Sequence, residues 1–138
     1  TFLMSFTVHF VRKAGSATLF YVLGGLFAFS INDLGVIGVD KILMLGSAGI
    51  VFEIVFLIFK IEVKNIQFDI ITGTALSAAA IPVIMAFMLS TEVAMNMIVA
   101  FINLTLLSFL VGVAGSVLSF MLWHQLRTIK MVLRFEYS

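Results

Sequence analysis

Glu53 has the plainest chemical potential in this chain. It stands in GIVFEIVFLIFK, residues 49–60, where every other residue from 50 to 59 is apolar. A carboxylate in such company can bind a cation, pass a proton, or hydrogen-bond one helix to another. An acid at mid-membrane depth costs on the order of 2.5–3.5 kcal/mol on insertion scales, so it must face other helices, a partner or water. Four groups are candidates to meet it: Asn103, Tyr21, Ser16 and Lys60. Lys60 shares its helical face but lies two turns away, and its amine prefers the interface.

A second polar set lies late in the chain. Asn96 and Asn103 are seven residues apart, and Glu92 precedes Asn96 by four. At helical spacing they form one stripe, which can line an outer vestibule leading toward Glu53. The plainer alternative leaves Glu92 and Asn96 at the interface and gives Asn103 a single interhelical hydrogen bond. Pro82 sits inside an apolar run, where it removes a backbone donor and crowds the carbonyl of Ala78. A kink is expected there, static or acting as a hinge, with Thr74 and Ser77 placed to satisfy the freed carbonyls.

These residues need a scaffold that hides little from lipid. The chain has 138 residues, 62% hydrophobic and 11% charged, against roughly a quarter charged in soluble domains. A domain this small has too little interior for so much apolar surface, so the expected solvent is a bilayer. A crossing helix needs about 20 mostly apolar residues. Four stretches qualify: 14–31, 42–59, 70–90, and a longer one within 93–123, with its membrane part placed at 96–123. The fold expected is an all-α integral membrane protein, one domain over 1–138, with four transmembrane helices in an antiparallel bundle. The lead-in 1–10 reads as interfacial or as the end of a removed segment. Asn32 and Asp33 close the first span. Asp40 and Asp69 stand where helix caps belong, as do Ser90 or Thr91, with Glu92 in the first turn that follows.

Orientation follows from the basic residues. Arg12, Lys13, Lys60, Lys64, Arg127, Lys130 and Arg134 fall on one side of a four-span chain, and Lys41 alone on the other. The positive-inside rule then puts both termini in the cytoplasm. Residues 124–138 read as a basic amphipathic cytoplasmic tail, with Arg127, Lys130 and Arg134 on one face for lipid headgroups or a partner. His124 beside Trp123 reads as a solvated interfacial residue.

Helix association in lipid depends on close backbone approach at small residues. Gly24 in the first span, Gly46 and Gly49 in the second, Gly73 and Ser77 in the third, and Ser108, Gly112, Gly115 and Ser119 in the fourth supply such stripes. Phe52, Phe56 and Phe59 are left to fill gaps or meet lipid.

Several functions are set aside. A net charge of +1 offers no footprint for nucleic acid. No cysteine is present, and no metal-ligand spacing, phosphate-cradling glycine loop or serine–histidine–acid set appears, so no cofactor is expected. Enzymatic action on lipid would need a second catalytic group near Glu53. In size and in its single mid-membrane acid the chain resembles the small four-helix multidrug carriers. Their acid lies in the first helix and Glu53 lies in the second, so no residue role carries over. The expected function is a transporter or channel-type protein, a homo-oligomer or a subunit among other membrane proteins, using Glu53. The alternative is a non-catalytic accessory subunit whose acid pairs with a partner helix.

Overall fold

The computed structural model describes residues 1–11, 13–31, 36–59, 62–63, 66–89 and 95–126. The order of elements is α1 (Phe2–Val11), α2 (Ser16–Phe27), α3 (Val39–Ile58), a two-residue strand pair, α4 (Phe68–Met88) and α5 (Ile98–Leu126). The strands, β1 (Glu62–Val63) and β2 (Ile66–Gln67), pair antiparallel and join α3 to α4. The fold is otherwise helical. Three helices, α3, α4 and α5, are long and apolar enough to cross a membrane, which marks the chain as a membrane protein.

The expected first span, 14–31, is helical only over its 12 residues Ser16–Phe27. At ~1.5 Å per residue that is about 18 Å, short of a hydrocarbon core of about 30 Å. The lead-in forms α1, whose Met4, Ser5, Val8 and His9 are no more than 1% exposed. Met4 and Val8 join Ala17, Tyr21, Phe52 and Ile70 in one core cluster. Gly15 takes a left-handed φ of +91°, a conformation that costs glycine little, and turns the chain between α1 and α2.

Contacts fix the directions. Thr18 lies against Gly49 and Gly25 against Ile42, so α2 runs antiparallel to α3. Phe52 faces Gly73 and the antiparallel strand pair joins α3 to α4 at one end, while Gly112 faces Ala75 and residues 95–105 share a groove with residues 83–89, so α3, α4 and α5 alternate. Thr1 and Phe2 lie beside Gly115, while the Phe10 ring meets Trp123 edge-on at 5.8 Å. Helix α1 therefore runs with α5, starting midway along it and ending near its end. The start of α2 and the Lys13 turn share that end with the last turn of α3, the strand pair and Trp123. Lys41 lies at the opposite end. It is 1% exposed, turned inward to donate to the Ile31 carbonyl at 2.6 Å.

The caps differ from expectation in one respect. Asp40 and Asp69 sit inside the first turns of α3 and α4, whose N-cap residues are Gly38 and Gln67. From there Asp69 accepts the Ile70 N–H at 2.8 Å. Asn32, Asp33, Ser90, Thr91 and Glu92 lie outside the described residues, as do Arg12, Lys60, Lys64 and the tail residues Arg127, Lys130 and Arg134.

Small residues set the helix spacing, with one exchange of roles. An added Cβ at Gly49 would stand 2.7 Å from Thr18 Cα, at Gly112 2.8 Å from Ala75 Cα, and at Gly73 2.9 Å from the Phe52 ring. Gly46 and Gly115 make looser contacts, with Val22 and with Thr1 and Phe2. Gly24 faces open space, and Gly25 makes the close approach instead, against Ile42. The reason is rotation: the face of α2 that meets α3 carries Thr18, Val22 and Gly25, and Gly24 is one residue off it. Of the three phenylalanines in α3 and just beyond it, Phe52 is buried and stacks on Phe56 at 5.9 Å, and Phe59 is exposed. A Gly49→Ala variant is expected to lose about 1–3 kcal/mol through overpacking on backbone. Gly24→Ala is expected to stay within about 0.5 kcal/mol of the parent. Unfolding of the purified variants in mixed micelles by increasing denaturing detergent checks the pair.

Candidate functional site

Helix α2 begins inside the bundle. Its first residues pack beside Gly49 and Glu53, and Glu53 lies five residues before the last residue of α3. At ~1.5 Å per residue, α2 starts about 7.5 Å short of the end of α3. The first amides of any helix lack an intrahelical partner, and at this depth among apolar side chains water is a poor substitute. A local side chain would ordinarily cap them. Here the N-cap is Gly15, which has no side chain to offer, and no local cap hydrogen bond forms.

Glu53 fills that role from the neighbouring helix. Its Oε1 accepts the Ala17 N–H at 3.0 Å and, more weakly, the Thr18 N–H at 3.5 Å. These are the second and third amides of α2, those an N-cap side chain would serve. The carboxylate also faces the positive end of the helix dipole. Gly49, one turn earlier on α3, makes the approach possible, because a side chain there would meet Thr18. Glu53 and Gly49 thus act as a unit. The other oxygen, Oε2, is enclosed and has no hydrogen-bond partner, and the same holds for the Ser16 hydroxyl.

The remaining sequence candidates divide clearly. Tyr21 does not reach Glu53. Its hydroxyl lies 3.1 Å from Ser77 Oγ, and Ser77 itself donates to the Thr74 carbonyl at 3.1 Å. Tyr21 is therefore the donor in the pair, and Ser77 relays the bond into the α4 backbone. Thr74 donates to the Ile70 carbonyl at 2.7 Å. Neither Thr74 nor Ser77 serves the Ala78 carbonyl that Pro82 leaves open, contrary to the expected compensation, because each hydroxyl bonds three or four residues back from its own position. Helix α4 continues through Pro82.

Asn103 does not meet Glu53 either. It is exposed on α5, nine residues before Gly112, or about 13 Å toward the Lys41 end. Asn96 is exposed ahead of α5, and Glu92, the third member of the expected vestibule, lies outside the described residues. In α5, Gly112, Gly115 and Ser119 are buried, and Ser108 is half-buried.

A further polar contact also escaped sequence reading. His9, buried in α1, pairs through Nδ1 with Gln67 Oε1 at 2.8 Å. The amide oxygen only accepts, so Nδ1 carries the proton. His9 and the exposed His124 flank the same ring, Phe120, at 6.1 and 6.2 Å. The available signal was the amphipathic spacing Met4, Ser5, Val8, His9, which marks an inward face. Among the described residues no group of three histidines or acids is placed to hold a metal ion. Set against known protein families, characterised proteins and solved structures, the chain matches none.

Removing the Glu53 carboxyl should uncap α2. Glu53→Ala is expected to lose about 1–3 kcal/mol, the usual cost of stranding buried donors, and to speed hydrogen exchange at the Ala17 and Thr18 amides. Glu53→Gln keeps an acceptor oxygen and should leave exchange there close to the parent. Site-resolved hydrogen–deuterium exchange in detergent reads both.

Proposed function

We propose that the chain is a multi-pass membrane protein that moves a small solute or ion, as a homo-oligomer or as the membrane subunit of a larger assembly, with Glu53 as its coupling carboxylate. One observation carries this reading. The carboxyl divides its oxygens: Oε1 holds the start of a half-length helix, and Oε2 is enclosed without a partner. A proton or cation arriving at Oε2 would change the charge that holds α2, and so link occupancy to helix position. Ionisable groups inside a helix bundle are a recurring part of transporter pathways. A single bundle of this size is narrow, so a pathway is better formed between protomers.

The membrane arrangement proposed has four layers, with α2 and the turn after it as the first. Both termini lie in the cytoplasm. Support comes from Lys13 standing at the end of the bundle where α3 and α5 finish and α4 starts. By sequence, six more basic residues adjoin that end and only Lys41 the other.

A second reading, the accessory subunit, has its own observation. Asn103 presents a carboxamide outward from α5, where a partner helix would satisfy it better than lipid. Beside it, an apolar groove of about 740 Å³ runs between α4 and α5, lined by Phe87, Met95, Phe101 and Ile102 among others.

Proteoliposomes containing a pH-sensitive dye, driven by a potassium diffusion potential, test the coupling role. The parent is expected to carry protons and Glu53→Gln to lose at least tenfold of that flux while remaining folded. Unchanged flux in the variant would remove Glu53 from the mechanism. Because the chain lacks cysteine, single substitutions Lys13→Cys and Ile37→Cys can report sidedness. Impermeant maleimide in the external medium should label only Ile37→Cys in intact cells.

A further inference from the structure

We infer that the outer groove between α1 and α2 is a binding site for one anionic phospholipid, with its phosphate at Lys13 and an acyl chain along α2. The inference is independent of the role of Glu53.

The groove has a volume of about 500 Å³. Its long wall is apolar: Val11 on α1, and Leu19, Phe20 and Leu23 on α2. Thr7 completes that wall, and its hydroxyl is already committed to the Leu3 carbonyl at 2.9 Å, which leaves its methyl to face the cavity. From Ser16 to Leu23 the wall follows two helical turns, about 10 Å. Leu19 and Leu23 are 61% and 44% exposed, so no described residue covers this face.

At one end the lining changes character. Lys13, Ala14, Gly15 and Ser16 form the mouth. Lys13 is exposed there and, among the described residues, is the one charged residue lining the groove. The carbonyl of Lys13 accepts the Ser16 N–H at 3.2 Å, which ties the turn down and fixes where the amine starts. Glu53 is not among the lining residues. It serves α2 from the α3 side.

This order of surfaces, a cation at the headgroup end and a hydrocarbon-lined trough running inward, matches a lipid read from phosphate to chain. A water-soluble phosphate would use only the mouth. A neutral or zwitterionic lipid would use the trough equally but would gain less from Lys13. A basic residue near an anionic membrane surface contributes about fivefold in affinity.

Native mass spectrometry of the full chain, released from micelles holding equal phosphatidylglycerol and phosphatidylcholine, tests the site. The parent should retain one phosphatidylglycerol with about fivefold preference. Lys13→Gln should abolish the preference and Lys13→Arg should keep it. Equal retention of the two lipids by the parent, or an undiminished preference in Lys13→Gln, would overturn the assignment and move any selectivity to other basic residues. Displacement of the lipid by excess inorganic phosphate would also overturn it, in favour of a bare anion site. A measurement that leaves Lys13 intact guards against misfolding of the variant. Leu23→Cys labelled with bimane should be quenched more by phosphatidylglycerol with brominated chains than by the matching phosphatidylcholine. Equal quenching would refute the acyl position.

Discussion

A helix that starts among apolar side chains exposes amides that must find an acceptor, and this requirement organises the molecule. Helix α2 starts well inside the end of α3, after a glycine that can turn but cannot cap. The acceptor has to come from another element, and Glu53 of α3 provides it through the Ala17 and Thr18 amides. The acid that looks out of place in its own helix is in place for its neighbour. Its company is backbone, which explains why a search for side-chain partners alone passes over it.

The cap in turn depends on spacing. Gly49 brings the α3 backbone against Thr18, and the same economy recurs at Gly73 beneath Phe52 and at Gly112 against Ala75. In lipid, where leucine against leucine gains little over leucine against an acyl chain, such close approaches matter more than bulk. Tyr21, Ser77 and Thr74 add a hydrogen-bonded chain that ties α2 to the α4 backbone with each hydroxyl in use. Helix α1 closes the arrangement by covering Gly115 and placing His9 against Gln67.

Much of this was legible from residue order. Long apolar runs of near-uniform polarity announce α3, α4 and α5, since 20 or so such residues have few other stable forms. Glu53 stands out because charge among hydrocarbon is expensive. The remainder was hidden for physical reasons. The charged pair Arg12 and Lys13 marks the break before Gly15, but the apolar run continues through Ile31, so hydropathy does not show that α2 ends at Phe27. The inward face of α1 has four buried residues in ten, too short a window to separate from an interfacial segment. Gly24 and Gly25 are indistinguishable by composition, and only the rotation of α2 about its axis decides which one meets Ile42. A backbone acceptor site leaves no residue type to read, so the partner of Glu53 could not be named from spacing.

The unequal helices also shape what surrounds the protein. At ~1.5 Å per residue, the 29 residues of α5 reach about 43 Å and the 12 of α2 only about 18 Å. A bilayer wrapped around such a body cannot keep one thickness along its whole perimeter. Where α2 is the membrane-facing element, lipids beside it would be drawn thinner or tilted, while those along α5 would be stretched or met by a leaning helix. Such a lopsided belt carries an elastic strain that neighbouring proteins can relieve by sitting on the thin flank.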